Sequence, residues 1–221
     1  MASYPPSFFP DDERDVPSTT TDLELLKRVW KNEKAAPEIL KFENSLIQRI
    51  KERIEKTELS VEKFEENQTD PLLLSLYQMD LHRIQFLLRS YLRVRLHKIE
   101  KYVFHIATEE VYRNRLSREE MEFMKSCETA LENHLNENVL SKLPDNYQDR
   151  LRQSVASEEN DMVDSPRLDT FVICKARQYV TNLDFEQEYR TEISEMERDL
   201  LTLACYKFVR KPFEEGKIDL I

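Results

Sequence analysis

Glycine is almost missing from this chain: its 221 residues include one, Gly216. Phosphate-cradling loops and dinucleotide fingerprints need several glycines, where the backbone must approach a ligand closely or take positive φ. Walker-type and Rossmann sites are therefore excluded, and so is the GxSxG elbow of a hydrolase. Cysteine is scarce as well. Cys127, Cys174 and Cys205 are odd in number, widely separated and form no CxxC pair, a pattern of reduced thiols rather than of a disulfide framework. No apolar run reaches the roughly 18 residues of a membrane span, and Met1 to Asp15 lack the basic-then-apolar order of a signal peptide. The sequence thus predicts a soluble intracellular protein with no membrane contact. Positive charge is in deficit, 43 acidic residues against 33 basic giving a net charge of −10. That balance opposes broad binding to nucleic acid or anionic lipid but permits a local basic face. What is present suffices for a buried core, with 40% hydrophobic residues alongside 34% charged ones.

The pattern along the chain predicts an α+β protein, predominantly α, in which a helical bundle precedes a small β-rich domain. Residues 1–20, with Pro5, Pro6, Pro10, Pro17 and the acidic Asp11-Asp12-Glu13, read as a flexible tail whose Phe8-Phe9 pair is a candidate partner motif. A helical domain follows over 21–153. Thr21 and Glu24 form a capping box for a first helix that carries Leu25, Leu26, Val29 and Trp30 and stops near Lys34. Pro37 suits the first turn of a second helix, in which Leu40, Ile47, Ile54 and Val61 recur to about Glu66. Asp70-Pro71 opens a third, uninterrupted to about Ile106. Ser117 and Glu120 cap a fourth that Pro144 ends, and a short fifth spans Asp145 to about Gln153. Residues 154–166, acidic and serine-rich, read as a linker. In 167–221 the runs Thr170–Cys174, Tyr179–Leu183 and Tyr189–Ile193 have strand composition. Leu200–Cys205 is ambiguous, Tyr206–Glu215 is helical, and Gly216 turns the chain into a last strand, Lys217–Ile221. There Ile218 and Leu220 share one face and Ile221 takes the other.

Catalytic chemistry is absent from the pattern. His82, His97, His105 and His134 form no HExxH and stand at no zinc spacing from a cysteine. His97 and Glu100 share a helix face as one half of a diiron motif, but such sites need the pair twice. Neither a cofactor nor a metal nor a catalytic residue is predicted. The feature that departs from the background is the third helix, where Arg83, Arg89, Arg93, Arg95, Lys98 and Lys101 stand against Glu100 alone. These charges read as two ridges flanking the apolar seam of Ile84, Leu88, Tyr91, Leu92 and Ile99. Three readings stay open: pairing with acids on the second and fourth helices, an acidic partner surface, or DNA phosphate.

Trp30, the only tryptophan, begins the run Trp30-Lys-Asn-Glu-Lys-Ala-Ala-Pro-Glu-Ile-Leu40. This run resembles the amino-terminal motif of the Sld-five subunit of GINS, the four-subunit complex of the eukaryotic replicative helicase. The stretch Gln78 to Lys101 is similar to that family's basic helix almost position by position. Pro166-Arg-Leu-Asp-Thr-Phe-Val172 and Gly216-Lys-Ile-Asp-Leu-Ile221 resemble the opening and the last strand of its carboxy-terminal domain. The resemblance spans about residues 22 to 221 and implies a helical A domain followed by a small B domain. It also implies a non-enzymatic, nuclear function in DNA replication: a heterotetramer with the three other GINS subunits, holding the MCM ring and its Cdc-forty-five cofactor together and contacting replicative polymerases or their adaptors.

Two groups of residues are thus candidates for structural or partner-facing roles. Trp30 is expected to pack between the first and second helices, with Asn32 and Glu33 satisfying backbone groups before Pro37. Arg83, Arg89, Arg93, Arg95, Lys98 and Lys101, and the terminal Ile218, Leu220 and Ile221, are the candidate interface residues, with at most weak direct DNA contact. The alternative from another class is a basic-helix nucleic-acid-binding protein.

Overall fold

The computed structural model describes residues 21–67, 70–154, 156–157, 160–181 and 195–221. The tail with Phe8-Phe9 and the run Tyr189–Ile193 lie outside them. The first helix, α1 (Asp22–Ala35), starts at the capping box read from the sequence: Thr21 Oγ1 accepts from the Glu24 amide at 3.4 Å, and Glu24 Oε2 accepts from the Thr21 amide at 3.2 Å. The long α3 (Pro71–Lys101) starts with proline in its first turn, Asp70 accepting from the Leu72 amide at 3.0 Å. α1, α2 (Asn44–Glu66) and α3 bury Leu26, Leu46, Ile47, Ile50, Ile84, Leu88 and Tyr91 in one core.

Three helix boundaries differ from expectation. The second helix begins at Asn44, so Pro37 lies in a bend rather than in a first helical turn. The third does not run on to Ile106; it ends at Lys101, and α4 (Val103–Thr108) follows after Tyr102, whose φ of −111° breaks the helix. The break turns Tyr102, Val103 and Ile106 onto Ile39 and Met124 in a second core. After α5 (Glu110–Arg113), α6 (Arg118–Asn138) opens on the Ser117–Glu120 capping box but stops six residues before Pro144, and the proposed fifth helix is a single 3-10 turn at Asp145–Tyr147.

The carboxy-terminal part is a three-stranded antiparallel sheet of order β4-β1-β5, built from β1 (Phe171–Ala176), β4 (Leu201–Cys205) and β5 (Ile218–Leu220). A second antiparallel pair joins β2 (Val180–Thr181) to β3 (Glu195–Met196). The ambiguous run at 200–205 is thus a strand, and α7 (Tyr206–Glu214) follows it directly. Val172, Cys174, Ala176, Ala204, Ile218 and Leu220 point inward onto Tyr206 and Val209. Gly216, at φ 73°, lets the chain reverse after α7, its amide donating to the Phe213 carbonyl and that of Lys217 to Pro212. A mostly helical bundle followed by a small sheet is the fold class the sequence predicted.

Candidate functional site

α3 presents two faces of different chemistry. Its inward seam runs Leu81, Ile84, Leu88, Tyr91, Arg95 and Ile99, so a guanidinium occupies a position otherwise reserved for apolar side chains. Arg95 is fully buried, its charge over the rings of Phe42 (5.2 Å) and Tyr91 (5.7 Å). Its five N–H groups all have acceptors. Nε donates to Glu120 Oε1 at 2.7 Å, Nη1 to Glu33 Oε2 at 2.9 Å and the Leu40 carbonyl at 2.7 Å, and Nη2 to Glu120 Oε2 at 2.9 Å and the Arg115 carbonyl at 3.1 Å. Burial alone would lower the Arg95 pKa; the hydrogen bond to Glu120 and the charge of Glu33 outweigh it and raise the value.

One turn further on, Lys98 donates to Glu33 Oε1 at 2.9 Å and to the carbonyls of Glu33 and Glu38. Burial lowers its pKa, and Glu33 offsets only part of that effect. These bonds explain why no helix starts at Pro37. The carbonyls of Glu38, Ile39 and Leu40 are taken by Lys98, Arg115 and Arg95, which replaces the backbone amides a helix would have supplied. Glu120 serves twice, accepting from the Ser117 amide at 2.9 Å to cap α6 while gripping Arg95.

A second buried cluster centres on Glu38, a fully buried carboxylate. Tyr206 Oη donates to its Oε1 at 2.8 Å, Arg210 Nε lies 2.9 Å from the same oxygen, and Arg115 Nη1 is 3.2 Å from Oε2. Glu214 lies 3.0 Å from Arg115 and 3.5 Å from Arg210. The two clusters each balance, Arg95 and Lys98 against Glu33 and Glu120, Arg115 and Arg210 against Glu38 and Glu214. Burial, reinforced by Glu38, pushes the Tyr206 pKa up and keeps its phenol a donor. Asn32 Oδ1 accepts from the Leu220 amide at 2.8 Å, closing the contact between bundle and sheet.

Each sequence candidate now has a place. Trp30 is half-buried and donates to Ser90 Oγ on α3 at 3.0 Å, so it belongs to the α1–α3 contact rather than lying between the first two helices. Asn32 and Glu33 bond β5 and α3, not the turn before Pro37. Arg95 and Lys98 are inside, not on flanking ridges, and their carboxylates come from α1 and α6 rather than from α2. Lys101 lies over the Tyr102 ring at 4.9 Å. Arg83, Arg89 and Arg93 are exposed, and none has an ion pair among the described residues. Ile218 and Leu220 are buried, while Ile221 is exposed and donates its amide to the Ile173 carbonyl at 2.9 Å. Glu38, Arg115, Tyr206 and Arg210 carried no local signal, since their partners are far away in sequence; Glu120 was legible only as a cap.

Among the described residues no three His, Cys, Asp or Glu side chains gather as metal ligands, and His97 and Glu100 are both exposed, 3.9 Å apart. Burial pushes the Cys174 thiol up to about 11. No helix among the described residues is long and apolar enough to cross a membrane.

Arg95 and Lys98 of α3 are thus neutralised on buried carboxylates, and Glu38 and Asn32 join the helices to α7 and β5. The family model for the GINS complex protein helical bundle domain matches residues 42–139, and that for the DNA replication complex GINS protein SLD5 C-terminus matches residues 166–221. A protein of Arabidopsis thaliana named DNA replication complex GINS protein SLD5 is 53% identical over 203 residues, covering 92% of each chain. Its Homo sapiens namesake is 31% identical over 90% of this chain and 88% of its own, and that of Dictyostelium discoideum 25% identical over 90% and 91%. The chain belongs to the GINS SLD5 family.

Proposed function

We propose that the chain is a non-catalytic subunit of a heterotetrameric GINS complex in the nucleus. There it scaffolds the replicative helicase with the MCM ring and the Cdc-forty-five cofactor and meets a replicative polymerase or its adaptor. Residues 21–153 act as the helical domain and 167–221 as the small one, connected by 154–166; in support, the helical-bundle match covers 42–139 and the carboxy-terminal match 166–221. The observation that carries this reading is apolar surface left uncovered at two places. Around the α2–α3 turn, Leu59, Leu72, Leu76 and Tyr77 are exposed, Leu72 to 66%. On the outer side of the sheet, Phe171 and Ile173 of β1 lie beside Leu201 and Leu203 of β4, all exposed to between 49% and 61%. Monomers rarely leave such patches open, and permanent complexes bury about 2,000 Å² or more per interface. Co-expression with the three other GINS subunits tests it. The expected product is a complex with one copy of this chain, and a chain that remains a monodisperse, cooperatively folding monomer and joins no complex refutes it.

A further inference from the structure

The outward face of α3 remains without an assignment. Met79, His82, Arg83, Phe86, Arg89, Arg93 and His97 are exposed and, at about 100° per residue, fall within about 120° of one another over roughly 27 Å. Met79, His82, Phe86, Arg89, Arg93 and Leu96 also keep the alternating three-and-four spacing of a helix-packing seam. Met79 and Phe86, exposed to 60% and 63%, are among the most exposed large apolar side chains of the described residues. Phe86 stands between Arg83, one turn before it, and Arg89, one turn after it.

The three guanidinium groups have no ionic partner among the described residues although the chain carries a net charge of −10. The same helix turns Arg95 and Lys98 inward onto carboxylates, so the outer three are what internal pairing leaves over. Duplex phosphate would satisfy the charges but leave Met79 and Phe86 in water, and the overall negative potential opposes approach to a nucleic acid. An amphipathic helix with an apolar groove edged by Asp or Glu satisfies both. It seats Phe86 as an anchor and answers Arg83, Arg89 and Arg93 with carboxylates.

We infer that the outer face of α3 is a docking seam for an acidic amphipathic helix belonging to another subunit of the GINS complex, with Phe86 as anchor and Arg83, Arg89 and Arg93 as its charge-reading residues. This rests on the tetramer proposed above and names the partner chemistry for one of its faces.

The test uses the co-expressed four-subunit complex with a photo-cross-linking benzoylphenylalanine at position 86, irradiated with and without a single-stranded oligonucleotide. The expected adduct lies in a helical peptide of a partner subunit that carries at least three acids at three- or four-residue spacing, and oligonucleotide does not compete it. In parallel, Arg89→Glu with Arg93→Glu is expected to weaken association with the other three subunits at least tenfold at 50 mM salt, and by less at 500 mM. Both side chains are exposed and unpaired among the described residues, so the helical circular dichroism of this variant should match the wild type. An assembled wild-type complex giving no adduct, an adduct on DNA or one on a basic or neutral peptide overturns the seam, as does a folded charge-reversal variant of unchanged affinity. Failure of the wild-type chain to assemble at all overturns instead the tetramer reading on which the seam rests.

Discussion

Replacing Arg95 by methionine keeps most of the side-chain volume and removes the charge and every donor. The consequences can be counted from the contacts. Glu33 keeps Lys98 at 2.9 Å, and the Arg115 carbonyl keeps the Phe42 amide at 3.0 Å. Glu120 is left with only the Ser117 amide inside a buried site, and the Leu40 carbonyl loses the guanidinium donor. A buried group left unsatisfied costs about 1–3 kcal/mol, more when it is charged, and breaking a buried ion pair from one side costs about 3–5 kcal/mol. The expected loss for Arg95→Met is therefore about 3–5 kcal/mol. Adding Glu120→Gln removes the stranded charge and should restore about 1–2 kcal/mol of it, a coupling that independent sites would not show. Trp30, the only tryptophan, is bonded to Ser90 on the helix that carries Arg95 and reports the transition by fluorescence. Urea unfolding at submicromolar concentration should place the single variant's midpoint about 2 M below wild type, for a slope of about 2 kcal/mol/M. A loss under about 1 kcal/mol, or a double variant no better than the single one, would mean that the network is not what holds α1, α3 and α6 together.

Three further outcomes follow from the same geometry. Glu38→Gln keeps an acceptor for Tyr206 but leaves Arg115 and Arg210 with the half-exposed Glu214 as their one carboxylate among the described residues; amide exchange at Leu220 should accelerate at least tenfold while that of α2 stays unchanged. Burial lowers the His105 pKa against the opposing pull of Glu109 and Glu38, so the folded state holds the ring neutral while the unfolded chain protonates below about pH 6.5. Stability should therefore fall as the pH drops from about 6.5 to the folded-state pKa, and His105→Phe should flatten that part of a urea-midpoint profile. Deleting residues 217–221 removes buried Ile218 and Leu220 and the Leu220–Asn32 bond, a loss of at least about 4 kcal/mol; melting of the truncated chain at the wild-type temperature would contradict the packing of β5.

Local chemistry was legible where its causes are local. Thr21 with Glu24, Asp70 with Pro71 and Ser117 with Glu120 each announce a helix start, and each start occurs there, because the bonds that cap a helix lie within three residues. The start at Pro37 failed for the complementary reason. Its residues obey the local rule, but side chains some 55 to 76 positions away take their carbonyls. No proline or glycine marks the break at Tyr102; the packing of Ile39 against Val103 and Ile106 accompanies it. The inward turn of Arg95 did leave a trace that charge counting overlooked. Arg95 lies four residues after Tyr91 and four before Ile99, on the seam itself rather than beside it. Glu38 left none, because an acid beside a proline reads as solvent-facing until Tyr206 and Arg210 are brought to it.

The run Trp30 to Leu40, just before the matched helical-bundle residues 42–139, ties the bundle to the carboxy-terminal part. Within eleven residues it sends Trp30 to Ser90 of α3, Asn32 to the amide of Leu220, Glu33 to Arg95 and Lys98, Ala36 into the core of the sheet, and Glu38 to Tyr206 and Arg210 of α7. These contacts join the run to α3, β5, the core of the sheet and α7, and both of its carboxylates are buried. A change at Trp30, Asn32, Glu33, Ala36 or Glu38 cannot be absorbed by repacking one neighbour, since each of these faces a partner across bundle or sheet. The run therefore sets how the sheet sits on the helices, and its side chains are spent on that internal task. In the assembly proposed above, the partner-facing role would fall to the surfaces these bonds leave bare, the outer face of α3 and the exposed side of β1 and β4. Substitutions in the run should lower the stability of the chain before they alter its choice of partner, whereas changes at Phe86 or Arg89 should do the reverse.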